Sequence, residues 1–206
     1  MMGKTHMVCG TACALCVLQP TTIREWVICT GAAAIGAVIS DIDVTTSDSR
    51  ETLNKITFLS VLIAIAVCCL EYQWHLGIMR NFNRESNLFR LVVGFAVFLG
   101  ICTFGKNQPH RSFMHSFAGL ASLSIVLYLV YPPLAAPFAI AMLSHIMLDI
   151  LNRRKVRLFY PLRGGLCLRL CSANGLVNKA FLAIGSAVFA VYSGMLLFTK
   201  IKGFLG

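Results

Sequence analysis

Seven side chains in this sequence have the chemistry and spacing to hold a divalent metal ion: His6, Asp41, Asp43, His110, His115, His145 and Asp149. Four imidazoles and three carboxylates make a mixed nitrogen–oxygen donor set. Zinc takes such a set readily, with manganese or another hard divalent ion as the alternative. His145 and Asp149 are four apart in SHIMLDIL, so one helical turn places both on one face. Asp41-Ile-Asp43 closes the apolar run AAAIGAVIS. Carboxylates at i and i+2 do not share a helix face, but in an extended or turning segment they point the same way and can chelate a hard cation. In HRSFMHS, residues 110–116, His110 follows Asn107-Gln108-Pro109 and stands at or before a helix start. Five residues of helix would rotate His115 away from it, so placing both on one ion requires a break. Arg111 offers a planar, permanently charged fork suited to phosphate or carboxylate. Each motif also has a bland explanation: a solvated turn for Asp41 and Asp43, an interhelical hydrogen bond for His145 and Asp149, a snorkelling arginine, a solvated terminus for His6. Their coincidence is what favours chemistry.

The elements that must position these groups are membrane helices. The 206 residues are 57% hydrophobic and 13% charged, with a mean hydropathy of +0.76, whereas a soluble domain carries roughly 25% charged residues. An all-α, polytopic transmembrane bundle forming one integral membrane domain over residues 1–206 is expected. Charge-free runs cover 5–23, 26–40, 56–70, 91–105, 112–148 and 180–199, and Pro132-Pro133 splits the fifth. A span needs about 17–25 residues, so the count lies between five and seven segments. Alternating seven across a bilayer gathers all the motifs on one face, side A, and sends His75, Arg80 and Arg84 to the other. His75 is therefore expected not to be a ligand. Side A then carries twelve of the eighteen Lys and Arg residues, which favours it as cytoplasmic. The net charge of +10 suggests anionic lipid or phosphate nearby. No basic-aromatic motif points to nucleic acid, which is not an expected partner.

Seven of the nine cysteines lie inside apolar runs, where they act as small hydrophobes. Cys9, Cys13 and Cys16 have the CxxxCxxC spacing of iron–sulfur radical enzymes, but the apolar context argues against a cluster. Cys167 and Cys171 lie in a polar loop and are the candidate reactive or disulfide pair. The first apolar run is expected to be a retained membrane segment rather than a cleaved signal, since Pro20, Arg24 and Glu25 end it without a clear small-residue cleavage site.

The order of these motifs, TH near the N-terminus, DID, HR-x-x-x-HS, then H-x-x-x-D followed by Pro161, resembles the YdjM-like family over about residues 4–162. That family is described as LexA-regulated, inner-membrane, metal-dependent hydrolases. The resemblance implies metal ligands at His6, Asp41, Asp43, His110, His115, His145 and Asp149. The chain departs from the family pattern at Ser40, where proline is usual, at Ser112 and Met114, where glycine and threonine are, and at Asn152–Lys155, which replace T-x-x-G.

Together these features lead to the expectation of a hydrolase in the inner membrane with one or two divalent ions, zinc favoured. Two ions about 3.5–4 Å apart would suit a phosphate ester. Arg111 would bind an anionic oxygen, and Asp43, if not a ligand, would be the general base. A lipid or lipid-linked phosphate at the membrane face is the expected substrate. The alternatives are a divalent metal transporter or sensor built on the same ligands, and a structural membrane protein without chemistry.

Overall fold

The computed structural model describes residues 2–74, 86–172 and 175–205. Within them the chain forms seven helices and no strand: α1 (Gly3–Leu18), α2 (Ile23–Ile39), α3 (Asp48–Trp74), α4 (Ser86–Lys106), α5 (Phe117–Val130), α6 (Pro132–Ile150) and α7 (Leu176–Leu205). Two short 3-10 turns, Ser40–Asp43 and Phe113–His115, carry the DID motif and the second histidine of HRSFMHS. Five segments, Ile23–Asp43, Asp48–Cys69, Asn87–Lys106, Pro132–Ile150 and Leu176–Lys202, are long and apolar enough to cross a membrane. The helices Gly3–Leu18 and Phe117–Val130 are apolar but shorter, and at 1.5 Å per residue they fall short of a hydrocarbon core about 30 Å thick.

Local sequence sets where the helices begin and end. Thr22 caps α2 in a reciprocal box. Its side chain accepts from the Glu25 N–H at 3.1 Å, and Glu25 accepts from the Thr22 N–H at 3.2 Å. The Ser116 hydroxyl accepts from the Gly119 N–H at 3.1 Å and opens α5. Pro132 and Pro133 occupy the first turn of α6, where a missing N–H costs nothing. This is where the long apolar run divides.

The helices around the motifs are α1, α2 and α6, packed through small residues. Ala14, Leu15, Cys29, Ala33, Ala37 and Ala141 form one buried cluster. At Gly36 an added Cβ would collide with the Phe138 carbonyl oxygen, so glycine lets α2 and α6 approach backbone to backbone. Outside this centre the apolar surface faces outward. Phe58, Leu62 and Ile65 on α3, Val93 and Val97 on α4, and Val191 and Met195 on α7 are all exposed, which suits acyl chains rather than water.

Hydrogen bonds tie helix ends together on one face. Met2 N–H donates to Asn178 Oδ1 at 3.3 Å, joining the starts of α1 and α7. Arg50 donates to the Lys106 carbonyl at 2.7 Å and the Ile42 carbonyl at 3.4 Å, joining the start of α3, the end of α4 and the DID turn. The segment after α6 folds back over its end: Leu168 N–H donates to Ile150 O at 2.7 Å, and Val156 and Leu166 exchange two bonds of 2.9 Å in an antiparallel bridge. The expected gathering of segment ends is thus present. His75, Arg80 and Arg84 lie outside the described residues. Cys167 and Cys171 do lie in the loop after α6, as free thiols rather than a disulfide, and Cys171 is buried, its Sγ donating to the Leu151 carbonyl at 3.4 Å.

Candidate metal centre

Five elements deliver the seven motif residues to one place. His6 comes from the first turn of α1, Asp41 and Asp43 from the 3-10 turn after α2, His110 from the loop after α4, His115 from the turn before α5, and His145 with Asp149 from the last turns of α6. His6, His115, His145 and Asp149 are buried, and Asp41 is half-buried.

The inner group consists of five donors. His115 Nε2 and His145 Nε2 face each other at 3.3 Å. Asp149 reaches His115 Nε2 at 3.4 Å, His6 Nε2 at 3.5 Å and His145 Nε2 at 4.0 Å. Asp41 Oδ1 lies 3.6 Å from His145 Nε2. Ligand bonds of about 2.0–2.2 Å around zinc imply ligand–ligand edges of about 3.3–3.5 Å in a tetrahedron, and most of these separations lie near that range; the donors converge as two overlapping groups, His6 with His145 and Asp149, and Asp41 with His115 and His145. Of the outer nitrogens, His6 Nδ1 is buried without a hydrogen-bond partner and His145 Nδ1 is engaged. His145 Nδ1 lies 2.6 Å from the Ala37 carbonyl and must donate to it, which in the neutral ring leaves the Nε2 lone pair facing inward. His6 stacks on His145 with centroids 3.8 Å apart, an arrangement unsuited to two charged rings.

Asp43 occupies the outer side. Its Oδ1 lies 2.8 Å from His110 Nδ1, and its Oδ2 accepts the Arg111 backbone N–H at 3.0 Å and lies 3.3 Å from His115 Nδ1. The last contact is an ion pair rather than a hydrogen bond, so Asp43 holds His115 Nδ1 through charge. Burial drives the His115 pKa down, but the carboxylates of Asp149 and Asp43 outweigh it and lift it to about 9. Without a metal ion, a proton on His115 therefore supplies the positive charge that these carboxylates demand.

The two carboxylates of the DID motif do not meet on one ion. A 3-10 turn has three residues per turn, which separates positions i and i+2 around the axis. Asp41 faces His145 while Asp43 faces His110 and His115, and no group of converging donors contains both. The HRSFMHS segment avoids the helix that would have split its histidines: loop and 3-10 geometry bring the His110 and His115 rings to 5.5 Å. Arg111 sits at φ +63°, unusual for a residue with a Cβ. That backbone turn points its N–H at Asp43 while its carbonyl accepts from the Arg157 N–H at 3.0 Å.

Arg111 is closer to the centre than its sequence reading implied. Its guanidinium pairs with Asp149 Oδ2 at 2.9 Å and donates to the Arg154 carbonyl at 2.8 Å, while Nε is buried without a partner. Two further buried hydroxyls beside ligand positions, Thr5 Oγ1 and Ser40 Oγ, are also without partners. Buried polar groups are rarely left so, and here they border the cluster a cation would complete. Sequence reasoning missed these hydroxyls and the Ala37 carbonyl, because none belongs to a residue type that signals ligation. It also counted Lys155 and Arg157 only as loop charges, although both line a pocket at the site's edge with His110 and Arg111.

A family model described as YdjM inner membrane protein matches residues 1–204, and the chain belongs to that family. No curated protein and no solved structure gives a match.

Proposed function

We propose that this YdjM-family chain is a membrane-embedded, metal-dependent hydrolase acting on a lipid or phosphate ester at the motif-bearing face. We place that face in the cytoplasm, because twelve of its eighteen Lys and Arg residues lie there in the alternating topology. The observation behind this reading is the inward-facing set His6, Asp41, His115, His145 and Asp149, drawn from four chain segments and held at ligand–ligand distances. The mixed imidazole and carboxylate donors favour zinc, with manganese as the alternative. A neutral His145, its Nδ1 proton on the Ala37 carbonyl, has one lone pair to give, so the two inner groups that share it would hold one ion between them. A second would rest on Asp43 and His110.

A bound divalent ion supplies Lewis acidity to water and to a substrate oxygen. The chain's own residues do the rest. Asp43 orients His115 and His110 through their Nδ1 atoms. Because its oxygens are engaged in this way, the proton-accepting role passes to His110, whose ring is partly exposed at the edge of the site. Arg111 balances Asp149 and offers positive charge toward the pocket it lines. A transporter or sensor would hold its ligands on broken helices near the membrane midplane; here the donors sit at helix ends, which favours a surface reaction.

Elemental analysis of detergent-purified protein tests the reading. About one equivalent of metal is expected in the wild type and in His110→Ala, and none in His145→Ala. Wild-type protein without tightly bound metal would overturn it and favour a structural role.

A further inference from the structure

We infer that the pocket lined by His110, Arg111, Lys155, Arg157, Gly164 and Gly165 is a phosphate subsite that receives the headgroup of an anionic lipid. This rests on the hydrolase reading for its purpose, but not for its binding chemistry.

The sequence pattern builds the pocket. Lys155-Val156-Arg157 pairs with Leu166 through the two bonds of the Val156–Leu166 bridge. Side chains alternate across an extended segment. Val156 is fully buried against Ile146 and Leu158, so its neighbours turn outward together. Lys155 and Arg157 are exposed, and among the described residues neither has a carboxylate partner. The opposite wall is tight: a Cβ at Gly165 would stand 3.1 Å from both Lys155 Cβ and the Val156 carbonyl oxygen, and Gly164 holds φ +137°. Glycines keep this wall low and close to the cations.

The pocket is joined to the metal centre by covalent and hydrogen-bonded neighbours. The Arg157 N–H donates to the Arg111 carbonyl, and Arg111 in turn contacts Asp43 through its backbone and Asp149 through its guanidinium. His110, held by Asp43, lines the same pocket. An anion seated there lies beside the chamber, and no acidic side chain lines the pocket to repel it.

The surroundings point to a lipid as the anion's source. Phe159, Leu162, Leu166, Leu168 and Leu170 are 63%, 69%, 55%, 57% and 70% exposed, interleaved with Arg163 and Arg169. Residues 152–172 contain six Lys and Arg residues and no acidic one. Apolar side chains facing outward between cations suit the headgroup layer, where leucine meets acyl chain and arginine meets phosphate.

Binding to the purified protein in a neutral detergent tests this directly. The probes are dioctanoyl phosphatidic acid, dioctanoylglycerol and inorganic phosphate, read by titration calorimetry alongside metal content. The phosphatidic acid should bind, the uncharged lipid should not, and inorganic phosphate should bind more weakly. The double variant Lys155→Gln/Arg157→Gln should weaken phosphatidic acid binding by about tenfold or more, as loss of charge-assisted contacts predicts, with metal content unchanged. Equal affinity in wild type and double variant would overturn the proposal. So would equal binding of the uncharged lipid, and inorganic phosphate binding as tightly as the lipid would overturn the lipid source. A wild type that binds phosphatidic acid in this charge-dependent way but holds no metal would sink the hydrolase reading and leave the subsite standing.

Discussion

The buried chamber and the basic ribbon beside it solve opposite electrostatic problems a few residues apart. In the chamber every ionisable group faces another: Asp149 meets His6, His115, His145 and Arg111, and Asp43 meets His110 and His115. On the ribbon, Lys155 and Arg157 are exposed and have no carboxylate partner among the described residues. Burial explains the difference. A charge removed from water must be paired or neutralised, whereas an exposed cation is already hydrated. Dense pairing in the chamber is thus required by the fold once these residues are inside. Unpaired cations on the ribbon are not required by the fold, so they are the better pointer to an external anion.

The comparison breaks most sharply at Asp149. Asp149→Ala leaves Arg111 buried without its carboxylate and removes one of the two beside His115, a loss of about 3–5 kcal/mol for a broken buried pair. Metal and activity should vanish together, with a lowered melting temperature, read by elemental analysis and thermal unfolding. Asp149→Ala protein that keeps its metal would show that the chamber is only an ion-pair network.

Arg111→Ala separates the two regions, since the residue belongs to both. Guanidinium has no lone pair for a metal, so metal content should stay near wild type. Turnover should fall by about 10²–10³-fold, the usual cost of one charge-assisted contact to a developing oxyanion. Generic phosphate esters and lipid phosphates are the first substrates to screen. Full turnover would reduce Arg111 to a structural counter-ion for Asp149.

Asp43→Asn probes the outer support of the chamber. Metal affinity should drop by about 10–100-fold, as for other groups that orient a ligating histidine, measured by chelator competition. An unchanged affinity would remove Asp43 from the site's architecture.

A gentler effect is expected from pH. The folded, metal-free pKa of His115 is about 9, above the ordinary histidine value of about 6.5. Its stabilising contribution is therefore fully present below about pH 6.5 and is lost as pH rises through 9. Metal binding must displace this proton, so affinity should climb by about tenfold per pH unit between those limits. Opposite pH trends in apo-protein melting temperature and metal affinity would bear this out, and parallel trends would contradict it. The smallest effect belongs to His75→Ala, which should leave metal content unchanged. Loss of metal equal to that in His145→Ala would contradict the alternating topology.

Helical class, membrane character, the split at Pro132-Pro133 and the gathering of segment ends were all legible in the chain. They follow from hydropathy and proline chemistry, which act locally and need no partner. The seven polar residues were legible too, because carboxylates and imidazoles at the ends of apolar runs are conspicuous. Their division was not. That Asp41 and Asp43 serve different histidines depends on the 3-10 turn after α2, and that Arg111 grips Asp149 depends on a positive φ and on the segment folding back from residue 154. Lys155 and Arg157 read as loop charge until the buried Val156 between them fixed which way they point. Sequence placed these groups at the ends of apolar runs, where alternating seven segments brings them together. Only the tertiary structure decided which atom meets which, because that depends on turns and interhelix distances set by residues remote in the chain, such as Gly36 against Phe138.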